Sequence, residues 1–186
     1  MTPRTRTNPQ VSAEWTLRPA AESDFEAVLA LKNTVMRADL ERLGRFDEDR
    51  SRARVRASFS PLHTSVIELD GAFAGSLTLR DTEAGRCLEN FYLAPELQGR
   101  GLGTAILRAV LDEADAAGVP MRLTVLQSSA ARRLYERHGF TVESEDAVDV
   151  NMVRVHTVDA HTVGAHTVDG HAVDGRAVRA NAVRAG

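Results

Sequence analysis

The run Leu88-Glu89-Asn90-Phe91-Tyr92-Leu93-Ala94-Pro95-Glu96-Leu97-Gln98-Gly99-Arg100-Gly101-Leu102-Gly103-Thr104 constrains this chain more than any other. An apolar, strand-like stretch meets a proline that stops it, and a glycine-rich turn then opens a helical segment. Strand, tight turn and helix in that order belong to an α/β fold. Glycines at 99, 101 and 103 let the backbone turn without a Cβ clash, so several N–H groups can point at one ligand at the positive end of a helix dipole. The guest that such a cradle fits is a phosphate or pyrophosphate.

Spacing separates the nucleotide-binding loops that this run could represent. A Walker loop needs Gly-x-x-x-x-Gly-Lys-Ser/Thr, and the only lysine of the chain is Lys32, far from Thr104. The dinucleotide fingerprint needs Gly-x-Gly-x-x-Gly, whereas Gly99, Gly101 and Gly103 alternate and follow a proline. What remains, Gln98-x-x-Gly101-x-Gly103 after Phe91-Tyr92-Leu93-x-Pro95, resembles the coenzyme A pyrophosphate loop of the GNAT superfamily of N-acetyltransferases. A second segment strengthens the resemblance: Leu134-Tyr135-Glu136-Arg137-His138-Gly139-Phe140 follows a strand-like Met121 to Leu126, in the order and at the distance that superfamily uses. The similarity spans about residues 15 to 154.

Length and composition agree with one domain. A chain of 186 residues with 43% hydrophobic residues has material for a core of ordinary size. The net charge of −3 is spread without a basic stripe, which argues against a nucleic-acid or membrane surface, and no run is long enough to cross a bilayer. A cytoplasmic location is expected. Cys87 is the single cysteine; it cannot form an internal disulfide and reads as a small core residue of a strand. Three regions emerge: a flexible N-terminal segment at 1–14, a GNAT domain at 15–155 and a low-complexity tail at 156–186. The tail repeats every five residues, with His156, His161, His166 and His171 opening successive units. One valine per unit buries too little area to offset backbone ordering, so disorder is expected; nothing preorganises its histidines, and no metal site is expected.

Within the domain, Trp15 to Pro19 predicts a strand, and Ser23-x-x-Glu26 a capping box for a helix running towards Gly44. Its apolar residues Phe25, Val28, Leu29, Val35, Met36, Leu40 and Leu43 recur at helical steps. Asp47 to Phe59 reads as a second helix whose arginines form a solvated surface. Asp70-Gly71 predicts a hairpin between 66–69 and 72–79. Later expectations are strands at 87–93, 121–126, 140–142 and 148–155, and helices at 101–117 and 130–138. The expected fold is a mixed central sheet flanked by helices.

The resemblance also implies roles. Backbone N–H groups of Gly99, Arg100, Gly101, Leu102, Gly103 and Thr104 would hold the pyrophosphate of acetyl-CoA, with Gln98 opening the loop and Arg100 adding charge. The strand carrying Phe91, Tyr92 and Leu93 would pair with the pantetheine arm, the Leu93 N–H serving as oxyanion donor. Ser128 stands where the family often has a cofactor-binding asparagine, and a hydroxyl there has a shorter reach. Tyr135 is the candidate general acid, and otherwise a packing tyrosine. Glu89 is the candidate base; strand alternation predicts one face for Glu89, Phe91 and Leu93, and the alternative is a charged residue facing solvent or an arginine. His138 is expected to meet the dipole at its helix end. The acceptor is expected to be an amine of a small molecule, or of a protein or peptide, and a non-catalytic acyl-CoA-binding module is the competing class. Glu143, Glu145, Asp146 and Asp149 read as a solvated turn or a surface for a cationic amine. Both monomer and homodimer remain open.

Overall fold

Near-continuous burial along the central strands and helical spacing between strands produce one sheet covered on both faces. The computed structural model describes residues 4–7, 14–127 and 129–155, with the backbone alone for 4–7. The elements are β1 (Arg4–Thr7), β2 (Glu14–Pro19), α1 (Phe25–Arg42), α2 (Glu48–Ser58), β3 (Thr64–Leu69), β4 (Ala72–Thr82), β5 (Gly85–Leu93), α3 (Leu102–Ala116), β6 (Met121–Leu126), α4 (Ala131–Arg137), β7 (Thr141–Glu145) and β8 (Asp149–Arg154). The sheet order is β1-β2-β3-β4-β5-β6-β8-β7. Every pair is antiparallel except β5 with β6. Within the segment 1–14 expected to be flexible, Arg4–Thr7 instead pairs along β2, whose other edge is taken by β3; the Thr, Arg and Pro-rich composition carries no sign of this strand. The repeat tail lies outside the described residues.

The helix starts follow local chemistry. The Asp47 carboxylate accepts the Arg50 N–H at 2.7 Å and caps α2 as an N-cap residue should. At α1 the expected Ser23/Glu26 box is replaced. A 3-10 turn at Glu22–Asp24 leads into the helix, and the shorter Asp24 side chain accepts the Ala21 N–H at 2.7 Å while holding Arg18 through two bonds of 2.8 and 2.9 Å. Glu26 is exposed and pairs with Arg52, whose guanidinium, like that of Arg56, lies over the Phe25 ring. The Asp70-Gly71 hairpin has both residues at positive φ, 50° and 79°, as a tight two-residue turn requires.

One face of the sheet, with Leu77, Leu88, Phe91, Leu93, Leu123, Val125 and Met152, joins Ile106, Leu107 and Val110 of α3 and Leu134 and Tyr135 of α4 in the main core. The other face meets α1 and α2 in two smaller clusters, one around Phe25, Val55, Phe59 and Val66, the other around Leu31, Met36, Leu40, Tyr92 and Leu126. Full burial of each large aliphatic side chain contributes roughly 2 kcal/mol. Lys32 is also buried on α1 and donates to Ser51 of α2. Among the described residues no helix is long and apolar enough to cross a membrane.

Candidate active site

Two departures from regular sheet geometry shape the site. First, β5 and β6 pair only at Arg86↔Met121, Cys87↔Arg122 and Leu88↔Leu123, so Phe91 and Leu93 lie beyond the last pair and the strands part there. Ala94 donates its N–H to Ala74 O at 2.9 Å, and Tyr92 is in register with Ser76, so the ladder with β4 engages their backbone groups. Backbone direction alternates along a strand, so the N–H of Leu93, between them, is aimed at the unpaired edge.

Second, the β4/β5 register shifts between Ser76 and Thr78, which pair with Tyr92 and Glu89. Asn90 and Phe91 thus oppose the single residue Leu77, and Asn90 takes φ 50°, a left-handed conformation that asparagine tolerates better than most residues. The bulge overturns the expectation that Glu89 shares a face with Phe91 and Leu93. Leu88, Phe91 and Leu93 enter the main core, whereas Glu89 and Tyr92 sit on the α1/α2 face with their pairing partners Thr78 and Ser76. The break was readable in part: two polar residues, Glu89 and Asn90, separate the apolar Leu88 and Phe91 and interrupt the period of two.

Glu89 is 5% exposed and accepts a hydrogen bond from Arg80 Nε at 3.1 Å. Burial pushes its carboxyl above the usual range, against the opposing pull of Arg80, of His63 and of the Cys87 thiol. Arg80 also donates to Ser58 O at 2.6 Å, and Asn90 Nδ2 donates to Ser58 Oγ at 3.1 Å. The Tyr92 hydroxyl donates to Asn90 Oδ1 at 3.2 Å. Arg80, Asn90 and Ser58 were not singled out from the sequence. Nothing in linear spacing reveals that the end of α2 docks on the β5 bulge. Cys87 is half-buried in β5 and its thiol is pushed up to about 11, by burial first and by Glu89 second, which makes it a poor nucleophile and agrees with a packing role.

The glycine loop has the expected form. After a 3-10 turn at Pro95–Leu97, Gly99 and Gly101 take φ values of 72° and 83°, conformations that favour glycine. Gly101 is the N-cap of α3; no side chain caps that end and no acidic residue lies in the first turn. The first N–H groups of a helix have no intrahelical acceptor, so those of Leu102, Gly103 and Thr104 open on the positive end of the dipole. Arg100 and Gly99 are exposed. Gln98 has a different part: its Nε2 donates to Leu93 O at 2.8 Å, tying the loop to the end of β5. Ser128 lies outside the described residues.

Tyr135 is 0% exposed, and its ring meets Phe140 edge-on at 5.7 Å. Its hydroxyl has no hydrogen-bond partner among the described residues, and burial pushes the phenol above its usual value. A buried hydroxyl without a partner is costly, and a ligand that supplied the missing hydrogen bond would relieve that cost. The splayed edge, the uncapped loop and this orphan hydroxyl together fit coenzyme A. His138 behaves as expected, its Nδ1 donating to Leu134 O at 2.8 Å at the helix end. Three members of the acidic run have internal partners: Glu143 pairs with Arg122, Glu145 with Arg132, and the Asp146 carboxylate accepts the N–H groups of Val148 and Asp149.

A family model, the acetyltransferase (GNAT) domain, matches residues 36–158. That span is more than half of the chain, and the protein belongs to the GNAT acetyltransferase family. Solved structures share the fold at low identity. The PaiA N-acetyltransferase of Thermoplasma acidophilum, in complex with coenzyme A, superposes with a TM-score of 0.61 at 19% identity, covering 76% of this chain and 98% of that one. A ribosomal-protein alanine N-acetyltransferase of Escherichia coli gives 0.61 at 19% identity, with 81% and 99% covered. A GNAT-family acetyltransferase of Listeria monocytogenes gives 0.58 at 17% identity, with 82% and 99% covered.

Proposed function

We propose that the protein transfers an acetyl group from acetyl-CoA to a primary amine, in the first place that of a small molecule. Acetyl-CoA, when bound, supplies the acetyl group as an activated thioester. The backbone N–H groups from Gly99 to Thr104 would bind its pyrophosphate, Arg100 would add charge at the rim, and the open edge of β5 at Phe91 and Leu93 would take the pantetheine arm. The Leu93 N–H would donate to an oxygen that gains negative charge, a contribution of about 3 kcal/mol to barrier lowering for one such donor. Burial disfavours the phenolate, so Tyr135 Oη stays protonated and would give its proton to the thiolate sulfur as the carbon–sulfur bond breaks. Glu89 lies on the opposite face, on the order of 10 Å along the strand from Leu93, so it would take the amine proton through water.

The observation that carries this reading is the buried Tyr135 hydroxyl, without a partner among the described residues, in a chain whose β5 and β6 part after Leu88. One similar structure is named for a protein acceptor and another names only the cofactor, so the fold alone does not choose the acceptor. The test is calorimetric titration with acetyl-CoA, followed by thiol release against small amines and short peptides. Binding with turnover on small amines is the expected result. Turnover on peptides alone would move the acceptor to the peptide class, binding without turnover on either would favour an acyl-CoA-binding module, and no binding would overturn the proposal.

A further inference from the structure

We propose that Arg80 is a positioning residue: its guanidinium joins the Glu89 carboxylate to the last turn of α2, so that the base and that helix form one rigid unit. The inference rests on the reading of Glu89 as the base. Three contacts support it. Arg80 Nε bonds Glu89 Oε2 at 3.1 Å, its Nη2 bonds the Ser58 carbonyl at 2.6 Å, and Asn90, next to Glu89, bonds Ser58 Oγ at 3.1 Å. The Ser58 carbonyl is one of the last of α2, where the negative end of the helix dipole attracts a cation. One planar fork thus satisfies a buried carboxylate and a helix end at once, a geometry that lysine, a point donor on a flexible stem, cannot reproduce.

The arrangement answers a specific chemical problem. A carboxylate only 5% exposed loses hydration, which favours its neutral and catalytically useless form. Three groups oppose that loss: Arg80 from β4, His63 from the turn before β3, and the Cys87 thiol from β5 itself. Arg80 contributes most of the three, and it alone of these groups also bonds α2. The Glu89 carboxylate is therefore kept available to a substrate proton only while α2 is docked.

The test reads Glu89 directly and needs no acceptor. Protein labelled with carbon-13 at glutamate carboxyls is titrated by NMR, the Glu89 resonance being assigned by its loss in Glu89→Gln. Arg80→Gln is expected to raise the Glu89 midpoint by about one to three pH units, the usual effect of removing one adjacent opposite charge. Arg80→Lys is expected to raise it by less, and it keeps the test intact should the glutamine variant fail to fold. A midpoint unchanged in every variant that folds would overturn the role of Arg80. The base assignment is tested separately, by the pH profile of kcat/KM once an acceptor is known: Glu89→Gln should abolish the acid limb, and Arg80→Lys should move that limb upward with the NMR midpoint. An acid limb that survives in Glu89→Gln would refute the base while leaving the NMR result to stand or fall alone.

Discussion

Replacing Tyr135 with phenylalanine should make the free protein more stable and the enzyme much slower. The variant removes one oxygen atom from a side chain that is 0% exposed and whose hydroxyl has no partner among the described residues. Burying an unsatisfied hydroxyl costs about 1–3 kcal/mol, and the phenyl ring keeps the edge-on contact with Phe140 at 5.7 Å. Against this stands a void of one oxygen atom, worth well under 1 kcal/mol. The net expectation is a gain of about 1 kcal/mol, or a rise of roughly 2–4 °C in Tm for a domain of this size. Turnover should fall by about 10²-fold or more, the usual contribution of a positioned proton donor. Urea unfolding of both proteins without ligand gives the first quantity, and thiol release at saturating acetyl-CoA gives the second. A variant that is less stable than the parent would show that the hydroxyl is satisfied within the free protein. Unchanged turnover would remove Tyr135 from the chemistry.

Gly101→Ala forces an alanine into φ 83° at the N-cap of α3; a loss of about 1 kcal/mol in stability and roughly tenfold weaker acetyl-CoA binding are expected, measured by thermal unfolding and calorimetry. At Gly75 a Cβ would come within 2.3 Å of Tyr92 O and 2.9 Å of Leu93 Cδ2, and partner-strand backbone has little room to give, so Gly75→Ala should cost about 3 kcal/mol in urea unfolding. Arg18 first, and the Ala21 amide in addition, hold the Asp24 carboxyl below the usual carboxylate range. Asp24 therefore stabilises the fold above the ordinary carboxylate pKa, and that stabilisation is lost as pH falls through the depressed value. Asp24→Ala should cost about 1–2 kcal/mol at pH 7, with the difference from the parent vanishing in strong acid.

The glycine loop, the Tyr135 helix and the hairpin at Asp70-Gly71 were legible because each is a local event, decided by φ preferences and capping within a few residues. Met121–Leu126 coincides with its expected strand for the same reason, being an apolar run bounded by Pro120 and a turn. What escaped is non-local. Arg4–Thr7 becomes a strand only because β2 offers an unpaired edge, and its own residues carry no apolar alternation. The Ser23/Glu26 box failed because Arg18, beyond the reach of any capping pattern, recruits Asp24. Arg80 reads as one more charged strand residue until the fold brings Ser58, 22 positions away, to its guanidinium.

Asn90 shows why the site needed an irregular strand. On a regular β5, Glu89 would follow the side-chain direction of Phe91 and Leu93 into the main core beneath α3 and α4, a cluster made of apolar side chains together with Tyr135. A carboxylate there would lack a cationic partner and would become protonated, losing any use as a base. One residue at φ 50° reverses the phase, so Glu89 turns to Arg80 and α2 while Phe91 and Leu93 keep their places in the core. The same strand then separates the two groups proposed to handle protons: Tyr135 on the α3/α4 face, where burial raises its phenol, and Glu89 on the α1/α2 face, where burial also raises the carboxyl but Arg80 opposes the rise. The open edge at Leu93 lies between those faces, so under the proposed mechanism a proton taken from an amine on one side would not meet the proton given to a thiolate on the other. Bulge and splay are thus a single device, since the first sorts the side chains by face and the second leaves the backbone between them free to bind.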